Sequence, residues 1–385
     1  MKIVVISIIN EPWGGSEELW AAMADIALEN GHAVIHSAYN CGTISSKEKA
    51  LVAKGLKVLL RPGFAPANTT GILRFFNKAK NKVIEKLFPS GKAILRLQPD
   101  LILYVGTGLS AKDHPSMVQP LIHAGIPFVI NYQLNQEGAR FLSESDMSLL
   151  QYVVNHAAGN FFVSQRNWEA LEKMLAIKIP KASIIRNPVN MPDTSALPFP
   201  PFQKGVVQLA MVGNLLVMHK GQDTMLQTLA QPAWRNLPWH LNVYGQGMDQ
   251  PYLEQLATMY GIAEKISFHG RVADIRQLWS QNHLLLMPSV MEGMPLAVVE
   301  AMLCGRPALA TDVGGHTEWI TDNVDGFVAA APSVQCLSDA LQRAWQRQHE
   351  WARIGQMAHE KALQLYDPQP GQTLLTQLER IVAAH

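Results

Sequence analysis

Two carboxylates stand in an otherwise apolar stretch of the sequence, Glu292 and Glu300 within Pro288-Ser289-Val290-Met291-Glu292-Gly293-Met294-Pro295-Leu296-Ala297-Val298-Val299-Glu300-Ala301-Met302-Leu303-Cys304-Gly305-Arg306-Pro307. Pro295 is suited to open a helix and Cys304-Gly305 to close it. Between them Glu300 is the only polar side chain. A helix that is apolar all round is a buried helix, and a lone carboxylate on it must be paired, hydrogen-bonded or neutralised. A functional ligand meets that requirement and is the reading favoured here over a purely structural partner.

Glu292 belongs to the glycine turn ahead of the helix, and the helical rise places Glu300 about 8 Å further along. The helix N-terminus lies between the two, and its free amides and positive dipole end suit a diphosphate. One carboxylate is then available for hydroxyls on either side, which is the layout of a sugar, two phosphates and a ribose. A second glycine turn, Gly14-Gly15-Ser16, follows the first apolar run and opens a helix, so the same helix-terminus physics applies there, although two glycines also describe an ordinary tight turn.

The elements that must position these residues are legible as short β-branched runs at 2–8, 33–38, 56–60, 100–105, 127–132, 160–164, 206–212, 240–244, 265–269, 283–287 and 307–311. They alternate with amphipathic segments, the pattern of parallel strands covered on both faces, so the fold class is α/β. In the first helix Ser16 is expected at the cap, with Leu19, Ala22, Met23 and Ile26 at helical spacing up to Asn30-Gly31. A chain of 385 residues with 48% apolar residues exceeds one core and supports two domains. Five prolines between Asn187 and Pro201 mark a linker. The expected division is 1–190, 191–365, and a terminal helix, 366–385, packing back on the first domain.

Charge is balanced, 32 basic against 31 acidic residues, which removes the footprint of a nucleic-acid-binding protein. Three scattered cysteines, Cys41, Cys304 and Cys336, fit neither a disulfide framework nor a zinc site and point to a reducing cytoplasm. The apolar N-terminus reads as a buried strand, and no apolar run approaches the ~18 residues a membrane span needs. No Asp-x-Asp pair or histidine cluster suggests a catalytic metal. Gly106-Thr107-Gly108 follows a strand, but no acid near position 128 completes a dinucleotide fingerprint. The basic stretch 71–89, with Arg74, Lys78, Lys80, Lys82 and Lys86, is either a core-facing helix with a solvated side or a peripheral contact with the inner face of a membrane.

The segment Pro-Ser…Glu-Gly-Met-Pro…Glu-Ala-Met…Gly-Arg-Pro resembles the signature of glycosyltransferase family 4. Further pieces follow in that family's order: Gly213-Asn214-Leu215 with His219-Lys220-Gly221, Tyr244-Gly245-Gln246-Gly247, Phe268-His269-Gly270, Gly314-Gly315 with Glu318, and Asn323 to Gly326. The resemblance covers the second half of the chain and, more faintly, the first. It implies a GT-B fold, two Rossmann-like domains with parallel sheets facing a central cleft, 1–190 on the acceptor side and 191–365 holding the nucleotide-sugar donor. It also implies a retaining, metal-independent transferase, hexosyltransferase-like, that takes its sugar from a UDP- or GDP-linked donor and needs no cofactor, with a place in cell-surface polysaccharide or glycolipid synthesis.

By the same resemblance Glu300 holds the ribose hydroxyls and Glu292 touches the donor sugar. The amides of Gly293, Met294, Pro295 and Leu296 bind sugar hydroxyls and phosphate, and Lys220 neutralises the leaving diphosphate. Gly14 and Gly15 let the backbone approach the donor phosphate from the opposite domain.

Two departures stand out. The family's arginine after the first donor-domain glycine is here Asn214, with Arg271, Arg186 and His219 as candidate replacements. Where many members carry a histidine at a first-domain strand end, this chain has Asn131, Gln133 and Asn135, amides that orient sugar hydroxyls but take no proton. Glu137, Asp113 and His114 are the remaining candidate bases. These departures motivate a competing expectation, a catalytically inactive scaffold or regulatory module that binds a nucleotide sugar.

Overall fold

The computed structural model describes residues 1–61, 90–137 and 142–385; the basic stretch 71–89 lies outside them. The chain divides into two compact units, Met1–Pro188 with Asp367–His385, and Val189–Tyr366.

The first unit is built on a seven-stranded sheet ordered β3-β2-β1-β4-β5-β6-β7. Its strands are β1 (Lys2–Ser7), β2 (Ala33–Tyr39), β3 (Lys57–Arg61), β4 (Leu101–Thr107), β5 (Phe128–Leu134), β6 (Gly159–Phe162) and β7 (Ala182–Ile184). All pair in parallel, for example Ile3 with Leu101 and Val4 with Ile102. The continuous apolar runs follow from burial on two faces. Along β1, Val4 and Ile6 enter one apolar cluster with Ile102, Tyr104 and Ile130, while Ile3 and Val5 enter another with Leu19, Trp20, Met23 and Leu103. That alternation is the period-2 geometry of a strand. The second cluster is completed by Leu374, Leu375 and Leu378 from the terminal helix Pro370–Ala383. Gly371 brings that helix onto the helix Glu18–Glu29, where an added Cβ would meet the Ala22 carbonyl carbon at 2.6 Å.

The second unit carries a six-stranded parallel sheet ordered β10-β9-β8-β11-β12-β13. Its strands are β8 (Val207–Val212), β9 (Trp239–Tyr244), β10 (Ile266–Gly270), β11 (Leu284–Met287), β12 (Ala308–Thr311) and β13 (Phe327–Ala329). Residues 193–198, expected as linker, are seated on this unit. Arg276 donates to the carbonyls of Asp193 and Ser195, and the fully buried Arg306 to those of Leu197 and Pro198. Arg306 also donates to the carbonyls of Trp279 and Asn282, which is how a buried guanidinium is made tolerable.

The eleven expected strands are present, and two three-residue edge strands, β7 and β13, are additional. The first helix opens differently from the expectation. A 3-10 turn, Gly15–Glu17, precedes it, and Glu17 rather than Ser16 occupies the cap position, with no side-chain capping bond. Ser16 Oγ donates instead to Glu17 Oε1 at 3.3 Å.

Candidate functional site

In the second sheet the chain leaves β8 toward β9 on one side and later places β11 on the other. The β8–β11 boundary is thus the point where strand order reverses, and ligands of open α/β sheets bind at the carboxyl ends of strands at such points. Gly213–Leu216 follows β8 there and Pro288–Pro295 follows β11.

Glycines bring these loops together. Gly221, at φ +61°, ends the short helix Val217–Lys220, and a Cβ on it would lie 2.2 Å from the Pro288 carbonyl oxygen. Gly245, at φ +139°, passes so close to Gly213 that a Cβ would come within 1.8 Å of its carbonyl oxygen. The His219 carbonyl accepts the amides of Val290 at 2.9 Å and Met291 at 3.1 Å. Held this way, Lys220 Nζ meets Glu292 Oε2 at 2.6 Å, and Ser289 Oγ donates to the same oxygen at 3.3 Å. Gly314 supports the turn from below, where a Cβ would lie 2.1 Å from the Glu292 carbonyl oxygen.

Glu300 projects from the helix Leu296–Leu303, whose other side chains except Leu296 are buried. Among the described residues its carboxyl has neither a hydrogen-bond nor an ion-pair partner. Burial pushes that carboxyl up to about 7. A carboxylate left in this state gains from any ligand that donates hydroxyls to it, because those bonds favour the charged form.

The helix start is tighter than the sequence suggests. Pro295 is the cap residue rather than the first helical one, and it has no N–H. The Leu296 amide is spent on the Met294 carbonyl at 3.0 Å. Fewer of the four residues Gly293 to Leu296 therefore have an amide to offer than expected. Asn214 is exposed, and its carbonyl accepts from Gln222 Nε2 at 2.8 Å. Of the three cations considered as replacements for the missing arginine, His219 and Arg271 belong to the second unit and Arg186 to the first.

Gly14 and Gly15 lie in the first unit at the carboxyl end of β1. Neither has a positive φ. A Cβ on Gly15 would meet nothing within 4 Å, and one on Gly14 only ordinary contacts at 3.7 Å. The fold itself does not require glycine at either position.

Asn131, Gln133 and Asn135 are all buried, and their amides are committed internally. Gln133 donates to Asn131 Oδ1 and accepts from Asn187 Nδ2 at 2.7 Å. Asn135 Oδ1 accepts the Gly108 amide at 2.6 Å, and its Nδ2 donates to the Asn167 carbonyl at 2.8 Å. These three amides brace β5 and the turn after it. Of the candidate bases, Glu137 is paired with Arg166 at 2.6 Å and Asp113 with Lys112 at 3.0 Å, while His114 Nε2 lies 3.2 Å from the Tyr39 hydroxyl.

Sequence reasoning passed over Ser289 and a buried group in the first unit, Glu17, His36 and Glu48. Ser289 sits inside the quoted motif, and its partner, three residues on, was the available signal. The described residues contain no group of three or more ligands arranged to hold a metal, and no helix among them is long and apolar enough to cross a membrane.

Residues 207–347 match the family model described as Glycosyl transferases group 1. The chain is 24% identical over 339 residues to a subunit of the human phosphatidylinositol N-acetylglucosaminyltransferase, covering 86% of this chain and 65% of that protein. It is 31% identical over 127 residues to the Escherichia coli lipopolysaccharide glucosyltransferase WaaG, covering 32% of this chain and 34% of that one. It thus spans less than two thirds of either relative. Among solved structures, Anabaena HepE in complex with UDP and glucose superposes with a TM-score of 0.72 at 20% identity over 100% of both chains. The architecture is GT-B, two Rossmann-like domains.

Proposed function

We propose that the chain, whose residues 207–347 match the Glycosyl transferases group 1 model, moves a sugar, with retention of configuration, from a nucleotide diphosphate sugar to an acceptor in polysaccharide or glycolipid assembly. The observation that carries this reading is the ion pair of Lys220 with Glu292 at 2.6 Å, set at the strand-order reversal of the second sheet and ahead of the helix that bears Glu300. A cation, a carboxylate and a second, unpartnered carboxylate are what a diphosphate, a sugar and a ribose call for.

In this reading Glu300 receives the ribose hydroxyls and Glu292 a hydroxyl of the donor sugar. Lys220 turns from Glu292 to the diphosphate. Charge grows on the leaving phosphate as its bond to the anomeric carbon breaks, and a fixed cation there lowers the barrier. The acceptor hydroxyl attacks from the face the diphosphate is leaving. Its proton passes to the departing phosphate oxygen, so no side chain has to act as base and no metal takes part. The buried, internally bonded Asn131, Gln133 and Asn135 are compatible with that scheme, which asks no protein group for proton transfer. A uridine nucleotide as donor draws support from the similarity to HepE, solved with UDP and glucose. A glycolipid or lipopolysaccharide acceptor draws support from the two named relatives, and work on such an acceptor in the cytoplasm, at the inner face of a membrane, is part of the same proposal.

Calorimetric titration of UDP, GDP and ADP in the presence of chelator, into the native chain and Glu300→Ala, tests the proposal. One nucleotide should bind the native chain and lose about 10- to 100-fold in affinity in the variant, the worth of hydrogen bonds to a charged group. Failure of all three to bind would overturn it. Binding without transfer to any acceptor would favour the inactive scaffold.

A further inference from the structure

Gln222 differs in character from the residues buried around it. It opens the helix Gln222–Leu229, where Met225, Leu226, Thr228 and Leu229 are buried with it, and only 4% of it is exposed. Its Nε2 donates to the Asn214 carbonyl at 2.8 Å, which fixes the direction of the amide. Its Oε1 has under 1 Å² exposed and, among the described residues, no hydrogen-bond partner. A buried acceptor in that state costs stability that an unbranched apolar side chain of similar volume would not. The Asn214 carbonyl does not depend on the bond either, because the Leu216 amide also donates to it, at 3.0 Å. The fold therefore has no need of glutamine at 222.

The side chain it stands beside is Lys220. Gly221 separates the two in sequence, at φ +61°. The Lys220 stem lies over Gly213, where a Cβ would be 3.6 Å from its Cε, and the Gln222 amide meets the next carbonyl along, that of Asn214. Both side chains line one cavity of about 10 Å³ at the carboxyl ends of β8 and β11, with Gly213 and Pro288. That is about the room one water occupies, and an ammonium group is of similar size. Among the described lining residues, Lys220 carries the only side-chain donor besides Gln222 itself. Its ammonium has three hydrogens, and Glu292 is its one partner among the described residues. Water does not reach Oε1 in this state, so the donor that satisfies it has to come from within the cavity.

We propose that Gln222 is a positioning residue for Lys220: when a diphosphate draws the ammonium away from Glu292, Gln222 Oε1 accepts one of its hydrogens and holds it toward the phosphates. The assignment rests on the donor reading of this site. An uncharged acceptor suits the task, because a second carboxylate would compete with the phosphates for the cation, whereas an amide oxygen orients it and leaves its charge to the ligand.

The test is calorimetry with UDP and uridine on the native chain, Gln222→Met, Lys220→Met and the double variant, with urea unfolding of each. Gln222→Met should bind UDP about tenfold more weakly than the native chain and uridine equally well. In the Lys220→Met background the same substitution should change UDP affinity by no more than about twofold, since the group it positions is gone. Gln222→Met, and Gln222→Leu beside it, should unfold at the native urea midpoint or above it. An equal loss of UDP affinity in both backgrounds, or a loss shared by uridine, would make Gln222 a structural part of the turn and overturn the assignment. Native UDP affinity in Gln222→Met would overturn it too, as would a lowered urea midpoint in both apolar variants. No binding of UDP by the native chain would instead remove the donor reading itself, and this assignment with it.

Discussion

Lys220 and Glu292 are 72 positions apart in the chain and meet at 2.6 Å. Both side chains are largely buried, 21% and 12% exposed, so each is the other's main counter-charge in the absence of a ligand. A diphosphate must therefore compete with Glu292 for Lys220. Removing the competitor separates binding from turnover: Glu292→Gln should tighten UDP severalfold by freeing Lys220, yet slow sugar transfer about 100-fold because the sugar loses its carboxylate. Lys220→Met should weaken both. Calorimetry with UDP beside a transfer assay checks the split, and weaker UDP binding in Glu292→Gln would contradict it.

Glu300 makes stability depend on pH in an unusual direction. Burial raises its carboxyl from the ordinary 4.5 to about 7. The folded state then holds a proton that the unfolded state has already released between these values, so the stabilising contribution is full below about 4.5 and is lost as pH rises through about 7. Glu300→Gln keeps the neutral form at every pH. Relative to the native chain it should gain stability between pH 5 and pH 8, by up to a few kcal/mol. Urea unfolding of both proteins across that range measures the difference. A flat difference would mean that Glu300 is ionised in the folded chain throughout.

Two glycines make opposite predictions. Gly245 has φ +139°, and a Cβ would be forced to 1.8 Å from the Gly213 carbonyl oxygen, so Gly245→Ala should cost about 3 kcal/mol or more. Gly15 has ordinary φ and open space around its Cβ position, so Gly15→Ala should unfold within about 0.5 kcal/mol of the native chain. Thermal unfolding distinguishes them. If Gly15→Ala is as stable as the native chain but loses transfer, the bare backbone at that position serves a substrate rather than the fold.

Much of the fold is legible in the sequence, for reasons that particular residues make plain. The long strands announce themselves because parallel strands buried on both faces are continuous apolar runs, as in Ile3 to Ile6 and Leu101 to Val105. β7 and β13, three residues each, are too short to show a period. Glu292 and Glu300 were visible because carboxylates are conspicuous in apolar surroundings. Alternation correctly put Asn131 and Gln133 on one face of β5 but does not reveal whether that face is covered, and it is. His36 was hidden for the converse reason. It lies within an apolar strand run, and its partner Glu48 is on the helix Ser46–Ala53, a contact no spacing rule anticipates.

Asn214 offers the last test, because the charge that family resemblance places there is absent. The residue is exposed in the turn between β8 and the short helix Val217–Lys220, which carries Lys220 at its end. Asn214→Arg should leave stability within about 0.5 kcal/mol, as exposed substitutions do. A guanidinium that grips the diphosphate adds a charge-assisted contact, and UDP should bind about tenfold more tightly while uridine is unaffected. Because the added contact is ionic, the gain should shrink as salt rises. Calorimetry with UDP and uridine at two ionic strengths reads all three effects. Equal gains for uridine and UDP would show that position 214 does not face the phosphates.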